Sequence, residues 1–100
     1  MHIHNVEQLN VYKRAFALTI DLYKITEKFP KSEMFGLVSQ IRRAAISINS
    51  NVMEGGARNS VGEFKQFIGV ARGSVSELKF QIKVSKELNF IKDEDCNQYD

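Results

Sequence analysis

Cysteine is nearly missing from this chain of 100 residues. The single Cys96 excludes an internal disulfide and by itself makes no metal site, in keeping with a reducing compartment. No stretch of about 18 apolar residues is present, which excludes a membrane-spanning helix. The first residues, Met1-His2-Ile3-His4-Asn5, lack the basic and apolar regions of a secretory signal, so the expected location is cytoplasmic, with no membrane partner. His2 and His4 are two ligands on a fraying terminus, too few for a metal site of fixed geometry. No Ser-His-Asp set, paired inward carboxylates or helical Glu-x-x-His motif can be assembled from these residues, so neither an enzyme activity nor a cofactor is expected. Acidic residues are scarce over most of the chain. Residues 1–92 carry all 14 Lys and Arg against 8 acids, a balance of +6, whereas Asp93, Glu94, Asp95 and Asp100 give the end −4. A basic body favours an anionic partner.

What is abundant is apolar periodicity. Val11, Ala15, Leu18, Leu22, Ile25 and Phe29 alternate steps of four and three. So do Met34, Val38, Ile41, Ala45, Ile48 and Val52, and again Phe64, Ile68, Ala71, Val75, Leu78 and Ile82, with Ser85 continuing the step. Each set marks a helix that buries one face. Helices are therefore expected over about 6–29, 33–54 and 60–88, in one domain spanning 1–100. Asn5 with Gln8 and Ser60 with Glu63 have the spacing of capping boxes. Pro30 stops the first helix, Ser32 is placed to cap the second, and Gly55-Gly56 can supply a left-handed residue that closes it. Asn89 is the stop of the third helix. Asp93-Glu94-Asp95 suits the first turn of a fourth, which is only begun. The fold class is an all-α, up-down antiparallel helical bundle.

The third helix is apolar on a second side. With about 100° per residue, its core stripe centres near Ala71 and Val75, and Gly73, Phe80 and Val84 point the other way. Phe35, Ile46 and Met53 form a comparable off-core group on the second helix. Helices apolar on two faces are normally buried on two faces, so these six residues are the expected subunit interface of a homo-oligomer. Tyr12, Phe16 and Tyr23, at intervals of four and seven, read as core packing of the first helix rather than base-stacking groups.

Lys65, Arg72, Lys79 and Lys86 recur every seven residues on one face of the third helix, with Lys83 nearby. Such a row suits a phosphate backbone. It also flanks the core stripe, where Glu54, Glu77 or Asp21 of neighbouring helices could neutralise it. Arg42 and Arg43 point about 100° apart; one is expected to reach a ligand and the other to pair with an acid such as Glu54 or Glu63. The connector Gly55-Gly56-Ala57-Arg58-Asn59-Ser60 leads into a helix start that favours anions, with Arg58 beside it. It is not a P-loop, because no Gly-Lys-Ser or Gly-Lys-Thr follows, and a capped interhelical turn explains the same residues.

Taken together, Phe29-Pro30-Lys31-Ser32-Glu33, Phe35-Gly36-Leu37, Gln40-Ile41-Arg42-Arg43-Ala44-Ala45, Ser47-Ile48, Asn51-Val52, Glu54-Gly55, Arg58, Ser60 and Glu63 resemble the four-helix bundle proteins of intervening sequences in bacterial large-subunit ribosomal RNA genes. The resemblance runs from about Leu9 to Ile91 and takes in Gly73-Ser74 and Glu77-Leu78. It implies an up-down-up-down bundle that assembles as a ring, commonly a homopentamer. More remotely, the chain resembles the accessory variability protein of diversity-generating retroelements, a basic pentameric barrel that binds nucleic acid. Neither resemblance implies catalysis. Two departures stand out: the family usually has proline where this chain has Asn49, and it continues through a full fourth helix, so either the chain is truncated or a partner fills the gap. The expected function is a non-catalytic oligomeric bundle that binds RNA or another nucleic acid through Arg42, Arg43, Arg58, Lys65, Arg72 and Lys79. The alternative is a structural adaptor that binds another protein.

Overall fold

The computed structural model describes residues 6–92, with the side chains of 6–9 left out. Asn5, the His2/His4 pair, Cys96 and the start of a fourth helix near 93 all lie outside the described residues. Those described form three α-helices and no strand: α1 (Val6–Thr26), α2 (Leu37–Gly56) and α3 (Val61–Glu87), with a 3-10 turn at Lys31–Glu33. The bundle is flattened, 45 × 23 × 17 Å. α2 is its middle member, packed against both neighbours, whereas α1 and α3 scarcely touch.

The apolar stripes of α1 and α2 supply most of the core. Ala15, Leu22 and Phe29 meet Val38, Ile41, Ala44, Ala45 and Ile48, and Leu78 and Ile91 close the same cluster. On the outer helices, however, the buried stripe is rotated from the most apolar line. Thr19 and Thr26 of α1 and Ser74, Gln81 and Ser85 of α3 are buried, while Val11 and Val75 are exposed. Their polar atoms tolerate burial because most are bonded. Thr19 Oγ1 donates to Ala15 O at 2.9 Å, Thr26 Oγ1 to Leu22 O at 2.6 Å, and Ser74 Oγ to Ser47 Oγ at 2.8 Å.

Three helix ends differ from the sequence expectation: α1 stops at Thr26 rather than near 29, and both ends of α2 are placed differently, whereas Asn89 does stop α3. α2 starts at Leu37 rather than near 33, because Glu33 caps it from outside: Leu37 N donates to Glu33 Oε1 at 3.3 Å. A Cβ at Gly36 would lie 3.1 Å from that carboxylate oxygen, so glycine leaves it room. At the other end of α2, no glycine has a positive φ, and the helix runs through Gly55-Gly56 instead of closing on a left-handed residue. Gly55 packs tightly against α3, since a Cβ there would sit 3.1 Å from Phe67 Cβ. The left-handed residue is Asn89, φ 62°. Phe90 N donates to Ser85 O at 2.9 Å and Asn89 N to Lys86 O at 3.0 Å, the paired bonds of a Schellman motif. This turn brings Phe90 onto Phe29, ring centroids 5.6 Å apart.

Candidate nucleic-acid interface

α3 begins at Ser60, whose Oγ accepts from Glu63 N at 3.1 Å. Its 27 residues make a rod of about 40 Å. Lys65, Arg72 and Lys79 are all exposed on it, and none has an ion-pair partner among the described residues. Two helical turns separate each from the next, about 10 Å along the axis. Exposed Lys83 lies within about 40° of the row. Glu54, one of the acids expected to neutralise these cations, is engaged by Arg58 instead. Glu77 projects from the opposite flank of α3.

The three other arginines of the expected binding set are spread apart. Arg42 turns to α1: its Nε donates to Thr26 Oγ1 at 3.0 Å and its Nη2 to Tyr23 O at 3.1 Å, with the guanidinium 4.4 Å above the Tyr23 ring. A cation at the carbonyl end of a helix is favourable, and this one ties α2 to the last turn of α1. The expected acid partner, Glu54 or Glu63, is replaced by a carbonyl, a hydroxyl and an aromatic face. Arg43 is exposed on the outer side of α2, in an open groove of about 1180 Å³ that Glu77, Ser47 and Gln81 also line. Arg58 Nη2 meets Glu54 Oε2 at 2.8 Å, and its guanidinium lies 4.7 Å above the Phe67 ring. Three cations thus share one face of α3, while Arg42 and Arg58 are held in interhelical contacts.

The apolar residues expected at an interface are mostly uncovered. Phe35 is 94% exposed, Phe80 66%, and Ile46 and Met53 are also exposed. A Cβ at Gly73 would meet nothing within 4 Å. Val84, expected among the exposed group, is half-buried. The core assignment of the α1 aromatics needs correction. Phe16 is 52% exposed, Tyr23 is exposed and Tyr12 half-buried, because Ala15, Thr19 and Thr26 take the contact with α2 and leave the rings on its outer margin. Tyr12 and Phe16 stack on each other there, 6.4 Å between centroids. The signal for this margin is the seven-residue spacing of Thr19 and Thr26, which matches that of Ser74 and Gln81.

Fold and surface together define a small helical-bundle protein with exposed apolar side chains and an exposed Lys65, Arg72 and Lys79 row on α3. Residues 7–100 match the family model of the 23S rRNA-intervening sequence protein, and the chain belongs to that family. Comparison with curated proteins finds no match. Among the described residues no helix is long and apolar enough to cross a membrane.

Proposed function

We propose that this chain is a non-catalytic, self-associating bundle protein that binds RNA through phosphate contacts of α3. The observation that carries the reading is the row of Lys65, Arg72 and Lys79, exposed on one face and without an ion-pair partner among the described residues. Cations in water along a straight rod contact a polyanion at little desolvation cost, and they read charge and spacing rather than base identity. Membership of a family named for an rRNA intervening sequence supports RNA as the polyanion. Arg43 belongs to a different surface, and Arg42 and Arg58 act in packing, so the binding set contracts to α3.

Binding of a single-stranded RNA measured against salt tests this. Each phosphate contact contributes roughly −0.7 to the slope of log K on log salt. Charge reversal at Arg72 and Lys79 should lower affinity and flatten the slope by roughly 1.4 for each copy in contact. Circular dichroism should be unchanged, as both residues are exposed. Absence of RNA binding at low salt, or binding indifferent to the double variant, defeats the reading. The second reading, an adaptor for another protein, is favoured by the exposed Phe35 and Phe80; it predicts that RNA never competes with the captured protein.

A further inference from the structure

Gln81 is a buried polar residue with an unmet need. It is 6% exposed, and its Oε1 has no hydrogen-bond partner among the described residues. A buried acceptor left unpaired is costly. Gln81 lines the open groove on the outer side of α2 together with Arg43, Ser47, Ser74, Glu77 and the 94%-exposed Phe35. The register of the two helices brings these groups together. Gly55 of α2 approaches Phe67 and Ser47 bonds to Ser74, so α2 and α3 run antiparallel. One turn beyond the Ser47–Ser74 bond, Arg43 stands opposite the stretch of α3 between Glu77 and Gln81, which are four residues apart on one face. Arg43 and Glu77 are both exposed, yet no ion pair joins them among the described residues. Ser47 Oγ accepts from Ser74 Oγ at 2.8 Å and from Asn51 Nδ2 at 3.2 Å, which leaves its own proton to donate.

Resting on the RNA-binding reading only for the source of the base, we infer that this groove binds an unpaired guanine, with Arg43 as donor and Glu77 and Gln81 as acceptors. A guanidinium matches O6 and N7 of guanine with two parallel hydrogen bonds. Next to O6 the guanine edge carries two donors, N1–H and the N2 amino group. The Glu77 carboxylate and the orphaned Oε1 of Gln81 are acceptors of the kind those donors require. No other common base has this edge. Adenine presents an acceptor at N1 and cytosine one at N3, and uracil has a single ring donor between two carbonyl oxygens. Each would set an acceptor against Glu77 or Gln81. The groove is open, so it admits a base still attached to its chain, and the exposed Phe35 ring offers a face for stacking. Because Glu77 projects from the flank of α3 away from Lys65, Arg72 and Lys79, the site adds base identity without using the phosphate row.

Titration of the full chain with guanosine, adenosine and inosine monophosphates tests the site, since the phosphate is common to all three. The guanosine nucleotide should bind at least about tenfold tighter than the adenosine one, the discrimination of one bidentate pair. Inosine monophosphate keeps N1–H and lacks the N2 amino group, so it should bind roughly three- to tenfold more weakly than guanosine monophosphate, the loss of one hydrogen bond. Glu77→Gln, at an exposed position, should erase the preference for guanosine over adenosine, and Gln81→Leu the difference between guanosine and inosine. Should Gln81→Leu fail to fold, the inosine comparison on the wild-type chain still decides. Within RNA, one guanosine placed in an oligouridine should raise affinity by a similar factor. Equal affinities for the guanosine and adenosine nucleotides, no binding of either at millimolar concentration, equal affinities for guanosine and inosine, or a preference that survives Glu77→Gln overturns the guanine site and leaves the α3 phosphate row standing. Guanosine monophosphate preferred in the absence of any RNA binding keeps the site as one for a free nucleotide and removes the RNA reading.

Discussion

Asn49 shows most clearly how a polar residue can serve a helical core. Its Nδ2 lies 3.0 Å from Ala15 O, 2.6 Å from Thr19 Oγ1 and 3.1 Å from Ala45 O, so one amide serves a carbonyl and a hydroxyl of α1 and a carbonyl of its own helix. α2 runs through it without a break, and the backbone donor that proline would lack is retained. Replacing it with alanine removes the amide that links Ala15 O and Thr19 Oγ1 to α2, while Ala15 O and Ala45 O keep Thr19 Oγ1 as a donor. Asn49→Ala should therefore cost about 0.5–1.5 kcal/mol, read as a lower urea midpoint at unchanged slope. Asn49→Asp is the sharper variant: nearly isosteric, it turns the donor into a negative oxygen facing two carbonyls, and it should destabilise more than alanine does. If aspartate is tolerated as well as asparagine, the amide is not what joins α2 to α1.

Gly73 poses the corresponding question for a whole element. It is exposed in the interior of α3, where a Cβ would meet nothing within 4 Å. Gly73→Ala should stabilise the isolated chain by up to about 1 kcal/mol through helix propensity, measured by urea unfolding at low concentration. If a neighbouring copy approaches here, the same methyl should weaken assembly, so the two readouts move in opposite directions. A stabilised variant that assembles like wild type would remove Gly73 from the interface. The existence of α1, α2 and α3 was legible from steps of three and four, since an apolar stripe repeated over twenty residues leaves few alternatives. What that pattern could not reveal was rotation. Hydrophobicity placed Val75 at the centre of the α3 stripe, but the residues buried on α3 include Ser74, Gln81 and Ser85, with Ser74 hydrogen-bonded to Ser47 of α2, and Val75 is left exposed. A like rotation of α1 leaves Phe16 and Tyr23 outside. The α3 cation row was legible because charge at seven-residue spacing survives a modest rotation. The roles of Arg42 and Arg58 were not, because their partners are a carbonyl, a hydroxyl and aromatic faces that no sequence spacing announces.

For the whole molecule, the decisive quantity is how much apolar surface one chain leaves wet. A chain of this length buries only part of its unfolded surface, and here Phe16, Phe35, Phe80, Ile46 and Met53 remain exposed beyond that. Any association that covers them stabilises the folded state by mass action, since the unfolded chain does not bind. The melting temperature should therefore rise with protein concentration, with a hundredfold concentration of binding partner over its dissociation constant adding about 2.7 kcal/mol. Phe80→Lys should abolish that rise while leaving the low-concentration melting temperature within a degree or two, because Phe80 makes little of its contact within its own chain. A wild-type melting temperature that is flat from micromolar to millimolar concentration would mean that each copy carries its apolar surface alone. High salt separates the contributions: it strengthens burial of Phe80 and Ile46 but screens Lys65, Arg72 and Lys79 from phosphate. Assembly that weakens only modestly in salt while RNA binding collapses would assign the apolar flank to association and the cation row to the polyanion.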